Sequence, residues 1–248
     1  MAGEKTYIYG RHALVEALKN APKAIKKVFL APQFADVELS DLIKKTGVSV
    51  TNIESGAPGG MNREDVRQGI IGLLATENLI KPYKGFIEHY KISPSSCLVL
   101  LDEIQDPHNV GAIIRSAAAF GVSGILIPEH NQAPVTGTVV KVSAGMAFRV
   151  PLISVGNVNS TLRDLKDLGF WIYGLEMNVE HNIVTEKFDA PSVFVMGNEA
   201  EGIRQKTREL CDIMLSIPMN PKCESLNVAA SAAVTLYAWS LQHPEALQ

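Results

Sequence analysis

Three short segments of this chain place polar side chains among small or apolar neighbours, where such groups need partners. The first is residues 106–117, DPHNVGAIIRSA. Asp106-Pro107 is a turn signal, and Asn109 is of a type that caps helices by accepting a backbone N–H. Arg115 falls in the helix expected to follow, with Ala112 and Ala119 beside it at three- and four-residue spacing. An arginine walled by alanines is open to a phosphate or to another chain; a surface ion pair with Asp or Glu is its plainer use. The second is residues 193–204, VFVMGNEAEGIR. A strand running into Gly197 and Gly202 bares backbone N–H and C=O groups for close contact with a flat ligand such as adenine. Glu199 can meet a cation or accept hydrogen bonds there, although an ordinary strand-to-helix loop has the same composition. The third is residues 213–234, IMLSIPMNPKCESLNVAASAAV. Ser225 suits the cap of a helix beginning near Leu226, and the alanines permit close packing. Asn227 in the first turn is costly if buried without partners, so a plain cap and core helix account for it less well.

These segments need elements to position them. From Cys97 onward, near-continuous apolar runs at 97–101, 124–127, 170–173 and 192–196 alternate with helix-like stretches, of which 162–168 and 226–239 are the clearest. That pattern predicts an α/β domain with a parallel sheet covered on both faces. Such sheets bind ligands beyond the carboxyl ends of their strands, which is where the three segments fall. No GxGxxG follows the first of these strands and no GxxxxGK[ST] occurs, so neither nucleotide fingerprint is present. Upstream, Ala13, Leu14, Ala17 and Leu18 predict a helix over 11–19, followed by a strand at 25–30, a helix at 37–45, a strand at 48–52, a glycine- and proline-rich break at 55–60 and a strand at 69–75. Residues 78–96, with Pro82, Gly85, Pro94 and scattered lysines, read as a linker. The expected division is 1–77, linker 78–96 and 97–248.

Composition narrows the field. A chain of 248 residues that is 46% hydrophobic buries a large core and is not disordered. It has no apolar run long enough to cross a bilayer, and its start lacks an export signal, so the cytoplasm and no membrane are expected. Cys97, Cys211 and Cys223 have no zinc-ligand spacing, and no metal is expected. A formal charge of -3 excludes coating nucleic acid through bulk positive charge. Residues 1–75 nevertheless carry ten Lys plus Arg against eight Asp plus Glu, and Arg11, His12, Lys23, Lys26 and Lys27 are the candidate grip on a polyanion. The same cations would equally solvate a surface.

Taken in order, D-P-x-N-x-G-A-I-x-R-x-A, G-x-E-x-x-G and I-P-M-x4-E-S-L-N-V resemble the three signatures of the SpoU, or TrmH, branch of the SPOUT methyltransferases. Residues 8–18, IYGRHALVEAL, extend the likeness to its bacterial 23S rRNA guanosine 2′-O-methyltransferases. The resemblance implies an α/β SPOUT domain with a C-terminal trefoil knot, a small N-terminal α/β L30e-like domain that binds RNA, and a homodimer. It implies S-adenosylmethionine as methyl donor and a ribose 2′-hydroxyl of RNA as acceptor, a guanosine of 23S rRNA foremost. A tRNA ribose methyltransferase, or a non-catalytic RNA-binding or ribosome-assembly factor of the same fold, is the alternative. Residue by residue, it assigns Asn109, Arg115, Glu199, Ser225 and Asn227 to a catalytic cluster. It assigns Met196, Gly197, Glu199, Gly202, Ile217, Met219, Leu226 and Val228 to the donor's surroundings. Because the arginine guanidinium stays protonated at neutral pH, Arg115 is expected to hold the target nucleotide and stabilise oxyanion charge, with an RNA phosphate taking the proton. The chain departs from the pattern at Ala200 and Pro221, where relatives often have glycine. A proline lacks an N–H and fixes φ, so the loop around Pro221 is expected to take another path.

Overall fold

The computed structural model describes residues 5–53, 69–177 and 179–248; the break read at 55–60 lies outside the described residues. The chain up to Ile80, together with Val135–Arg149, makes one compact unit, and Lys81–Pro134 with Val150–Gln248 makes the other.

In the first unit the elements follow as β1 (Thr6–Tyr9), α1 (Arg11–Asn20), β2 (Ile25–Leu30), α2 (Val37–Thr46), β3 (Ser49–Asn52) and β4 (Ile70–Leu74). The sheet order is β1-β4-β2-β3, with β4 antiparallel to both its neighbours and β3 parallel to β2. α1 buries Leu14, Ala17 and Leu18, the stripe its spacing predicts. α2 starts on Asp36, whose side chain accepts from Leu39 N at 2.9 Å, and ends on Gly47 at φ 67°, a left-handed conformation that glycine adopts without strain. Residues 135–149 join this unit from far along the chain. Arg149 donates through Nε at 2.6 Å and an Nη at 3.0 Å to Glu16, whose side chain is only 8% exposed. A carboxylate this buried needs such a partner, and the fork of arginine supplies two bonds at once. Gly137 opens the short helix Gly137–Val142 against β1, where a Cβ would stand 2.1 Å from the Tyr7 carbonyl oxygen.

The second unit is built on a sheet of order β11-β9-β10-β6-β7-β8-β5. Its strands are β5 (Ile80–Pro82), β6 (Cys97–Asp102), β7 (Gly124–Pro128), β8 (Leu152–Val155), β9 (Trp171–Leu175), β10 (Ser192–Gly197) and β11 (Ile213–Leu215). The pairings β11–β9, β9–β10, β10–β6, β6–β7 and β7–β8 are all parallel. β6 is buried at every position and β10 at all but its last, which is how strands covered on both faces come to read as unbroken apolar runs. β1, β5 and β8 escaped the sequence reading because strands of three or four residues leave little pattern to recognise. The long helices are α3 (Pro107–Ala119), α4 (Val158–Asp167) and α5 (Val228–Ser240). Along 78–96, the expected linker, Tyr83, Phe86 and Tyr90 pack on a core that includes Leu162, Leu165 and Val193, and the Phe86 and Tyr90 rings stack at 4.9 Å.

Two caps differ from expectation. α3 is capped by Asp106, which accepts from His108 N at 2.8 Å, with Pro107 in the first helical position. Asn109 therefore lies inside the first turn and is not the cap. α5 is capped by Asn227, which accepts from Ala229 N at 2.8 Å, and not by Ser225. Both shifts free a different residue for work at the strand ends.

Candidate active site

Beyond the carboxyl ends of β9, β10 and β11 lies a cavity of about 690 Å³. Of the residues nominated for the donor's surroundings, Gly197, Glu199, Gly202, Ile217, Met219, Leu226 and Val228 all line it, and so do Ser225 and Asn227. Met196 does not; it is fully buried within β10. Gly197 is needed because a Cβ there would lie 2.4 Å from Gly202 C and Ile203 N, so the loop folds back against its own strand only without a side chain. Asn198 and Gly202 close that loop with reciprocal backbone bonds of 2.9 Å.

One hydrogen-bonded chain joins the three signature segments on the cavity side. Asn109 donates through Nδ2 to Glu199 Oε1 at 2.8 Å and accepts through Oδ1 from Asn227 Nδ2 at 3.0 Å. Asn227 in turn uses its Oδ1 to cap α5. Each amide has a carboxylate or a helix N-terminus at one end that admits only one orientation, so neither is free to flip. The burial of Asn109, 8% exposed, is paid for by this pairing. Gln105 N and Asp106 N also donate to Glu199, at 3.3 Å each. Partial desolvation pushes the Glu199 carboxyl up, but the bonds from Asn109 and the backbone outweigh it and hold the group below the usual carboxylate range. Glu199 is thus ionised and spoken for near neutral pH, which makes it an anchor and a poor proton acceptor.

A second layer holds this arrangement. Asp102, fully buried at the end of β6, accepts from Arg204 through Nε at 2.9 Å, an Nη at 2.6 Å and the backbone N at 3.1 Å. Gln132 pairs both ends of its amide with the backbone of Ile104, at 2.9 Å each. Neither residue was singled out from the sequence. Nor were Glu176 and Arg208, which pair at 2.7 Å on the cavity wall. Their signal was the carboxyl end of β9, which in a parallel sheet opens beside that of β10.

Arg115 stands apart. It is exposed on α3, has no ion-pair or hydrogen-bond partner among the described residues and does not line the cavity of its own chain. Ser225 is exposed at the rim. The loop around Pro221 is a turn in which Cys223 N donates to Asn220 O at 2.8 Å and Lys222 N to Asn220 Oδ1 at 3.0 Å. Pro221 occupies the second position of that turn, where its fixed φ is favoured and its missing N–H is not needed. Ala200 N donates to Asn198 Oδ1 at 2.9 Å, a bond that alanine makes as well as glycine. Burial pushes the Cys97 thiol up and that of Cys211 to about 12, so both stay protonated and unreactive. Among the described residues no group of three His, Cys, Asp or Glu side chains is placed to hold a metal ion, and no helix is long and apolar enough to cross a membrane.

On the first unit the nominated cations divide. Arg11 is held by Asp36 and Glu38 at 2.5 Å each, His12 is exposed, and Lys27 lies 5.6 Å from the centre of the Phe29 ring. Lys23 and Lys26 border a separate groove.

An α/β unit with a parallel sheet, a loop-built cavity at its strand ends and a Glu–Asn–Asn chain across three signatures defines the class. Residues 96–237 match the family model described as SpoU rRNA Methylase family, and residues 7–78 match that described as RNA 2′-O ribose methyltransferase substrate binding. The chain belongs to the SpoU rRNA methylase family. Among individual proteins it is similar to the 23S rRNA (guanosine-2′-O-)-methyltransferase RlmB of Xanthomonas axonopodis pv. citri, 33% identical over 244 residues that cover 96% of each chain. RlmB of Neisseria meningitidis serogroup B is 34% identical over 232 residues, 92% of each. The SpoU methyltransferase AviRb from Streptomyces viridochromogenes, solved in complex with the cofactor AdoMet, shares the fold with a TM-score of 0.80 at 21% identity, over 97% of this chain and 91% of that one.

Proposed function

We propose that this protein transfers a methyl group from S-adenosylmethionine to the ribose 2′-hydroxyl of a guanosine in 23S ribosomal RNA. The observation that carries the reading is the chain from Glu199 through Asn109 to Asn227, which ties all three signatures to the wall of one cavity. The similarity to RlmB over 96% of both chains supports the target.

The cavity fits the donor. Its volume of about 690 Å³ is that of a small-molecule site, its walls include Leu175, Ile217 and Met219 for an adenine, and its backbone is bared at Gly197 and Gly202. Three carboxylates, Glu176, Glu199 and Glu201, against Arg208 give the lining a negative balance that suits a cationic sulfonium. When bound, the donor supplies a methyl group already activated by that charge. The protein's part is to align the acceptor oxygen and to stabilise it as its proton leaves, and alignment alone is worth several kcal/mol. Asn109 and Asn227 fix the loop that carries Glu199 and the N-terminus of α5. Ser225, at the rim, is placed to hydrogen-bond the ribose. Arg115 holds the target nucleotide and meets the developing oxyanion, and an RNA phosphate takes the proton.

This role for Arg115 calls for a homodimer, because the residue does not line its own chain's cavity. A surface for one is available: Val234 and Tyr237 of α5 and Leu241 just beyond its end are 39%, 52% and 64% exposed. The first unit grips the RNA. The knot implied by the signatures belongs to the same reading, as does action in the cytoplasm. Incubation with labelled S-adenosylmethionine and unmodified 23S rRNA, followed by mapping, tests the proposal. One 2′-O-methylated guanosine supports it; transfer to tRNA alone moves the target, and no transfer to any RNA refutes it.

A further inference from the structure

On the first unit, a concave groove of about 830 Å³ opens between the C-terminal ends of α1 and α2 and the starts of β2 and β3. Lys19, Lys23, Lys26 and Lys45 border it, and the buried Leu18 and Ile25 contribute to its floor. Lysines in a last helical turn, as Lys19 and Lys45 are, offset the negative end of the helix. That accounts for neither Lys23 nor Lys26, which lie outside the α-helices and border the same groove. Among the described residues the side chains of Lys23 and Lys45 have no ion-pair partner. Lys19 and Lys26 pair with Glu38 and Glu77 at 46% and 61% exposure, and ion pairs that exposed are cheaply broken. By contrast, Arg11, at the opposite end of α1, is engaged by two carboxylates through Nε and Nη.

We propose that this groove is where the first unit takes RNA, and that it takes an unpaired strand, with phosphates on Lys23 and Lys45 and a base lying over the apolar floor. The inference rests on the reading that RNA is the substrate. A duplex keeps its bases stacked inside and presents a convex phosphate surface, which touches the lysines of a concave site but leaves the floor unused. An unstacked strand uses both. Lys19 and Lys26 add to the grip once they leave their surface carboxylates.

Fluorescence anisotropy with a short oligouridylate and with a short RNA duplex, each across a potassium chloride series, provides the test. In the K23A/K45A double variant, the slope of log affinity against log salt for the single strand falls by about 1.4, two phosphate contacts at roughly 0.7 each. Affinity falls about tenfold, while R11A leaves both quantities as they are. An unchanged slope, an equal loss for the duplex, or a loss with R11A in place of K23A/K45A overturns the assignment. Both lysines are exposed, so the fold is retained, and an unchanged melting curve checks it. The wild-type assay on 23S rRNA keeps the two readings apart: methyl transfer with no change in slope removes the groove alone. A slope change in a protein that transfers no methyl group removes the proposed activity alone.

Discussion

Substituting Asn109 by alanine should cripple methyl transfer while leaving the protein folded. The side chain makes two bonds, one to the ionised Glu199 at 2.8 Å and one from Asn227 at 3.0 Å. A hydrogen bond to a charged group contributes about 1.5–3 kcal/mol and a neutral one about 0.5–1.5. The two share a network and do not simply add, so a combined loss of about 2–4 kcal/mol is expected. At 1.4 kcal/mol per decade, kcat/KM on 23S rRNA falls roughly 30- to 700-fold. The pH dependence gives a second reading. Glu199 is held below the usual carboxylate range, with Asn109 its leading hydrogen-bond donor. Without Asn109 its pKa rises, and the acid limb of the pH–rate profile moves to higher pH. Steady-state transfer assays across pH, with calorimetric titration of S-adenosylhomocysteine, separate turnover from donor affinity. A loss below about threefold with an unmoved acid limb would refute the view that Asn109 orders the site.

Further outcomes follow from the same geometry. R115A should abolish single-turnover methyl transfer and leave donor affinity within about twofold, since Arg115 does not line the cavity; a large loss of donor binding in calorimetry contradicts that. R204A strips the fully buried Asp102 of its two guanidinium donors, leaving it the backbone N–H of residue 204, and should cost about 3 kcal/mol in denaturant unfolding, which R204K does not restore because lysine lacks the fork. For Glu16, the hydrogen bond from Arg149 outweighs burial and lowers the pKa, so the pair's stabilisation is present above the unfolded value near 4.5 and is lost as pH falls through the lower folded value. E16Q should remove that acid dependence from the melting temperature, and an unaltered profile counts against it. P221G should leave donor affinity within about twofold, because the turn at Asn220 already places proline where it is tolerated.

Much of this molecule was legible in its residues. Long buried strands announce themselves as apolar runs, so β6, β7, β9 and β10 stood out, and the glycines and amides at their ends marked the site. What lay beyond local reading was set by contacts between distant residues. Which polar side chain caps a helix depends on where the first turn closes; Asp106 and Asn227 took the caps and left Asn109 to bond Glu199, ninety positions away. Sequence periodicity reports which face of an element is apolar, but not which strands lie side by side, and β10 reaches β6 only through the order of the sheet. Arg11 looked like a free cation until Asp36 and Glu38 closed on it, and 135–149 carried no mark of belonging with α1 until Arg149 met Glu16. The chain by itself determined its longer elements, its family and the candidate side chains of its three signatures, because those follow from neighbours within a few residues. Tertiary structure decided which of those side chains meet, because a hydrogen bond forms only between groups that packing brings within about 3 Å of each other.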